Sequence, residues 1–213
     1  MQSFKSHSKI TICRPTWKRT IVIKTWANTI DMALMLITSP AKEKGQAFLK
    51  RDKNLWNWQP SISRTIKIAA SASHQAWMGS DFTVDDVLKC VSFLNDFKHI
   101  SLGKEQAGGE KCHKILLTPK ANSTVIWGKI ILWIGMRDFV ERKIEYYDEN
   151  GKLIKTCRMS NVRTFNKHNV PMLMEMTPAN KKGHKTVIEI AEYAPVASMN
   201  ESFFSLQNLK RLR

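Results

Sequence analysis

Asp81, Asp85 and Asp86 set three carboxylates within six consecutive positions of the stretch WMGSDFTVDDVLK, residues 77–89. Carboxylates that close could work as an acid and a base, because like charges at short range push one group to hold its proton while the other stays ionised. Their placement points elsewhere. Thr83 is a good N-cap, and Asp86 stands three residues on, where a carboxylate meets the free N–H groups of a first helical turn. Asp85 suits the same positive end, and Asp81 belongs to the approach to the cap. A short helix therefore starts at Val84 and runs to about Val91. Gly79-Ser80 offers the turn that brings the chain in, and Phe82 and Val87 are spaced for a hydrophobic staple. The other residues able to do chemistry are scattered. The six histidines, at 7, 74, 99, 113, 168 and 184, form no i, i+4 pair and no metal spacing. Cys13, Cys90, Cys112 and Cys157 show neither a zinc nor a thioredoxin pattern and read as mostly free, buried thiols, with three pairings open to them in an oxidising space. No triad is readable, and Gly108-Gly109 is a turn rather than a phosphate loop. Catalysis, a metal and a cofactor are all unexpected.

The elements that must position any site read as strands separated by turn chemistry. Apolar or alternating runs rich in β-branched residues cover 10–14, 19–26, 32–38, 46–50, 55–59 and 65–68, a six-strand meander ahead of the helix. Further strands are expected at 97–104, 112–118, 129–136, 140–147, 153–162, 170–177 and 185–192. Glu149-Asn150-Gly151 marks a hairpin turn between two of them. Short strands at regular spacing exclude a doubly wound fold, and so long a meander curves or closes rather than staying flat. At 213 residues the chain reads as one domain, with no linker or internal repeat.

Several apolar residues could share a surface. Trp56 and Trp58 lie two apart on one strand and so point the same way. Together with Phe48, Ile66 and Ile68 on neighbouring strands, and Trp77, Met78 and Phe82 entering the helix, they could form one broad apolar face. Met172, Met174 and Met176 alternate along PMLMEM; methionine is flexible and polarizable, which suits either a gap-filling core or a cavity that accepts variable chains. Ile130, Leu132, Ile134 and Met136 make a similar row, with Trp133 on the opposite face. Which row turns inward stays open.

The string MGSDFT resembles the outer-membrane lipoprotein-sorting proteins, the LolA/LolB-like carriers, in particular a GSDF-containing branch. The resemblance extends through SPAKEKGQAFLK (39–50), LWNWQPSISRTIKI (55–68), YYDENGKLIKT (146–156), MEMTPANKKGHKT (174–186) and ESFFSLQNLKR (201–211). It implies a mainly β (α+β) fold: a large curved antiparallel sheet forming an open half-barrel, with a helical lid over an apolar cavity. The function it implies is that of a non-catalytic, periplasmic lipoprotein or lipid carrier. In such a carrier the twelve apolar residues Phe48, Trp56, Trp58, Ile66, Ile68, Trp77, Met78, Phe82, Val87, Met172, Met174 and Met176 would touch acyl chains. Its partners would be lipoprotein acyl chains or other lipid, an inner-membrane exporter and an outer-membrane acceptor. Members of the family start with a secretory signal and a leading helix. Residues 1–9 here are polar and basic, with strand-like alternation starting by Ile10, so both are expected to be missing from the 1–213 domain.

Charge leaves a second reading. The formal net charge of +16 is uneven, at +10 over residues 1–70, −1 over 71–150 and +7 over 151–213. Such a field attracts polyanions, so a basic module for anionic lipid or nucleic acid is the alternative. Most of these cations alternate with apolar residues, as on the solvated face of a sheet. No nucleic-acid motif accompanies them, and nucleic acid is not expected as a partner. The longest apolar run, 32–37, is far short of the roughly 18 residues that suggest a membrane span.

Overall fold

In the computed structural model, residues 3–28, 31–89, 92–121, 123 and 125–212 are described. The alternating runs become thirteen strands: β1 (Phe4–Cys13), β2 (Lys18–Asn28), β3 (Met32–Ser39), β4 (Ala47–Arg51), β5 (Asn54–Gln59), β6 (Arg64–Ile68), β7 (Phe97–Ala107), β8 (Glu110–Pro119), β9 (Lys129–Gly135), β10 (Glu141–Tyr147), β11 (Leu153–Phe165), β12 (His168–Pro178) and β13 (Lys185–Pro195). Three short α-helices accompany them among the described residues, α1 (Val84–Lys89) and α2 (Ser92–Asn95) between β6 and β7 and α3 (Leu206–Arg211) after β13. All the strands belong to one antiparallel sheet in the order β6-β5-β4-β3-β2-β1-β13-β12-β11-β10-β9-β8-β7. Two meanders, β1–β6 and β7–β13, are thus joined side by side where β1 pairs with β13. The sheet is not closed, and the architecture is a half-barrel with a helical lid.

The polar start of the chain conceals a strand. Expected from Ile10, β1 begins at Phe4, because Lys5, His7 and Lys9 alternate with Phe4, Ser6 and Ser8 and pair along both β2 and β13. At the other end of the lid, Cys90 and Val91 lie outside the described residues. Cys112 is a buried free thiol and Cys13 a half-buried one, and Cys157 is buried on the inner face. The turn expected at Glu149-Asn150-Gly151 forms. The Asp148 carboxylate accepts the N–H groups of Asn150 and Lys152, and Gly151 takes the positive φ of 76° that the reversal requires.

Residues paired across an antiparallel ladder point to the same side of the sheet, so the register assigns every strand residue to one of two faces. The inner face, beneath the lid, carries two apolar clusters. One gathers Ile10, Ile12, Ile21, Ile23, Ile37, Phe48 and Leu55 under Trp77 and Val84; the other gathers Leu117, Ile130, Leu132, Ile144, Cys157, Met159 and Met176 with Phe97 and Trp127. Ile130 and Leu132 therefore point inward. Trp133 points outward yet is only 2% exposed, because Lys143 and Lys114 sandwich its ring at 3.5 and 5.1 Å and Glu105 accepts its N–H. The Lys114 hydrogen bond holds the Glu105 carboxyl below its ordinary value. Nearby on the same face, burial and the Glu145 carboxylate push Tyr147 up to about 12. A third cluster sits on the outer face of β2–β5. There Leu34, Leu36, Ala47 and Leu49 are covered by Phe204 and by Leu209 of α3, whose N-cap Ser205 accepts the Asn208 N–H.

Candidate functional site

The segment from 69 to 89 lies across the inner face, and the MGSDFT stretch ties it down. Residues 76–83 form a tight reversal: the Trp77 N–H donates to the Phe82 carbonyl at 2.8 Å, the Ser80 N–H to the Trp77 carbonyl at 2.9 Å, and Ala76 bridges Thr83. Met78 and Gly79 both take positive φ there, 54° and 72°. The capping expectation for α1 holds. The Thr83 N–H donates to the Asp86 carboxylate at 2.6 Å, and the Asp86 N–H donates back to the Thr83 hydroxyl at 3.2 Å. Replacing Thr83 with Ala removes one half of this exchange. The expected cost is about 1 kcal/mol, read from the shift in urea denaturation midpoint.

Asp81 and Asp86 are each held by a different cation, Arg14 just beyond β1 and Lys155 on β11. Asp81 accepts the Arg14 guanidinium at 3.0 Å and the Thr186 hydroxyl at 2.6 Å, while Arg14 also donates to the Gly79 carbonyl at 2.9 Å. Asp86 pairs with Lys155. The Lys155 ammonium in turn lies over the rings of Trp127 and Tyr146 at 4.7 and 5.0 Å. The side chains of Asp86 and Lys155 are 7% and 4% exposed, so both charges have left water. These carboxylates fasten the lid to the sheet.

Between the lid and the loops of the second meander lies a cleft of about 570 Å³, within the range of roughly 300–1,000 Å³ usual for ligand sites. Ala76, Phe82 and Thr83 line its lid side. Ile126, Trp127, Ile154 and Pro178 form an apolar opposite wall, and His74, Asp148, Asn180 and Lys181 stand at the polar edges. A smaller hollow of about 300 Å³ lies around Lys5, His7, Lys24 and Trp26, at the β1–β13 register shift.

The twelve apolar residues expected to touch acyl chains are divided. Trp77, Phe48, Ile68, Met78 and Val87 meet in the inner cluster of the first meander. Met174, Met176 and Phe82 pack with that of the second, and Phe82 also reaches the cleft. Met172 is buried at 2% exposure and shares the inner face with Met174 by alternation along β12. Ile66 is on the inner face but 47% exposed. Trp56 and Trp58 depart from the expectation. Trp56 pairs with Leu49 and Trp58 with Ala47, which places both indoles on the outer face with α3, while Phe48 pairs with Asn57 on the inner one. A one-residue step in register exchanges the faces of a whole strand. The broad surface joining Trp56 and Trp58 to Phe48 therefore does not form. Sequence reading also passed over Ile126, Trp127, Ile154 and Lys155. The first two belong to the irregular stretch before β9, where no alternation marks an inward side.

The architecture has close counterparts among solved structures. A DUF1329 family protein from Desulfovibrio piger superposes with a TM-score of 0.89 at 19% identity, covering 98% of this chain and 91% of that one. A putative outer membrane lipoprotein-sorting protein domain from Vibrio parahaemolyticus gives 0.88 at 20% identity, covering 99% and 92%. A LolA superfamily protein from Nitrosomonas europaea gives 0.80 at 24% identity, covering 97% and 91%. No curated protein matches the sequence. The fold is thus LolA-like, and over residues 30–211 the chain matches the model of a family described as "-like: Uncharacterized protein", so it belongs to that family.

Proposed function

We propose that this protein is a non-catalytic carrier that shields acyl chains, of a lipoprotein or another lipid, in the cleft between lid and half-barrel. One observation carries the reading: the 570 Å³ cleft is walled by Phe82, Ile126, Trp127 and Ile154 and edged by polar groups. Apolar walls bind hydrocarbon without demanding one shape, and a polar edge leaves the head of the ligand in water. The likeness to a solved domain named for lipoprotein sorting supports the same reading. The compartment is then the periplasm, the acyl chains come from an inner-membrane exporter and pass to an outer-membrane acceptor, and residues 1–213 work as one domain. The acyl contacts shift from the twelve residues first expected towards Phe82 and the wall opposite it. Trp56 and Trp58 fall outside the site.

The double variant Phe82→Ser/Ile126→Ser tests this. It removes about 100 Å² of apolar contact, worth about 2.5 kcal/mol at 25 cal/mol per Å², so a fluorescent fatty acid should bind at least tenfold more weakly. Circular dichroism should be unchanged, and Trp56→Ser should leave uptake as it was. Equal affinity in the double variant and the parent would overturn the site.

A further inference from the structure

The connections β1–β2, β3–β4, β5–β6 and β12–β13 all emerge at one end of the half-barrel, because each meander reverses direction there. They touch one another: Gly183 lies against Pro15, and Gly45 against Pro60. Two acids of this rim are matched internally, Glu43 by Arg19 and Asp81 by Arg14. The remaining cations are not. Lys18 stands beside the first connection, Lys42 and Lys44 on the second, and Arg64 at the end of the third. Lys181 and Lys182 stand on the fourth. All are exposed, and none forms an ion pair with a described residue. Among them project Trp17, 49% exposed, and Ile62, 56% exposed.

We infer that this rim is a docking surface for an anionic lipid bilayer. Clustered lysines are drawn to the negative surface potential of such a bilayer, and a tryptophan with an aliphatic neighbour enters the headgroup layer, where an amphipathic ring is at home. Nucleic acid fits less well: single strands are held by successive stacking rings, and here the second apolar tip is an isoleucine with no π face. No helix among the described residues is long and apolar enough to cross a membrane, and the proposed contact is a peripheral one made by the loops of the rim. Ser80, Asp81, Asn180 and Lys181 belong both to this end of the molecule and to the cleft. A docked rim therefore turns the cleft mouth towards the bilayer. Asp148 and Glu149, on the far side of the cleft, are repelled by an anionic surface and tilt the molecule onto its β1–β6 side.

The inference deepens the carrier reading and rests on it for its purpose, but it is measured separately. The whole protein is sedimented with vesicles of phosphatidylcholine alone or with 30% phosphatidylglycerol. We expect at least tenfold stronger partitioning into the anionic vesicles. Trp17→Ser/Ile62→Ser and, independently, Lys42→Glu/Lys181→Glu/Lys182→Glu should each weaken it at least fivefold without altering circular dichroism. Brominated anionic lipid should quench a component of the tryptophan emission that Trp17→Phe lacks. Equal partitioning into both vesicle types, rim variants that sediment like the parent, or binding to single-stranded DNA in preference to the vesicles each overturns the inference. Fatty-acid binding without vesicles reports the cleft alone: intact uptake with no vesicle binding refutes the docking rim and leaves the carrier reading standing. Vesicle binding with no uptake does the reverse.

Discussion

Lys155→Met is expected to destabilise the protein by about 3–5 kcal/mol, the range for removing one partner of a buried ion pair. Asp86 would keep the Thr83 N–H, but it would lose its ammonium partner in a place only 7% exposed. The methionine fills the volume and keeps contact with Trp127 and Tyr146, so the loss reports charge rather than a cavity. Adding Asp86→Asn removes the carboxylate charge that faced the ammonium, and the amide oxygen still accepts the cap N–H. The double variant should therefore recover about 1–3 kcal/mol relative to the sum of the two single changes. Urea denaturation of the four proteins supplies the cycle. Strict additivity would show that the pair is not coupled. The same contact predicts where the loss is felt first. Native-state hydrogen exchange in Lys155→Met should quicken at the amides of residues 83–87 more than in β1 or β2, because the lid loses an attachment while the sheet keeps its ladder.

The second large effect falls on the other side of the lid. Trp77 is 6% exposed and meets Phe48 edge to face at 5.5 Å, and it joins the 76–83 reversal to the inner cluster of the first meander. Trp77→Ala should cost about 3–5 kcal/mol, the lost transfer of a large aromatic plus the cavity left under the lid. Trp77→Phe separates packing from polarity. The indole N–H is buried and finds no acceptor among the described residues, so phenylalanine keeps most of the apolar contact and removes a donor. Its expected cost is below about 1.5 kcal/mol. A phenylalanine variant as unstable as the alanine one would mean that the indole N–H, not the ring, holds the lid.

The order of the elements was legible because its causes are local. Alternation marks strands, Asp148 to Gly151 marks a turn, and Thr83 with Asp86 marks a helix start; each interaction lies within a few residues of the chain. The errors began where a second strand entered. Trp56 and Trp58 do share a face, as period two requires. That this face is opposite to that of Phe48 depends on the β4–β5 hairpin. Arg51 pairs with Asn54 around a two-residue turn, in which Asp52 takes a φ of 52°. A strand-like run with flexible boundaries does not reveal that one-residue choice. The hidden start of β1 has a related cause. Lysine, serine and histidine are weak strand formers, and their ladder is held by β2 and β13 on either side.

The stretch 77–89 shows the division most clearly. By itself the sequence determined that a capped helix begins after Thr83 and that carboxylates at its start are favoured by free backbone N–H groups. Only the tertiary structure decided what those carboxylates hold. Asp81 reaches Arg14 and Thr186, 67 and 105 residues away, and Asp86 reaches Lys155, 69 residues away. Their separation is bridged by the pairing of β1 with β13, which sets the two meanders side by side. The cleft has the same origin, since its walls come from the lid, the irregular stretch before β9 and the loops of β10–β13. A local pattern specifies the torsions of its own residues; a cavity and a lid attachment exist only when distant segments reach the same register.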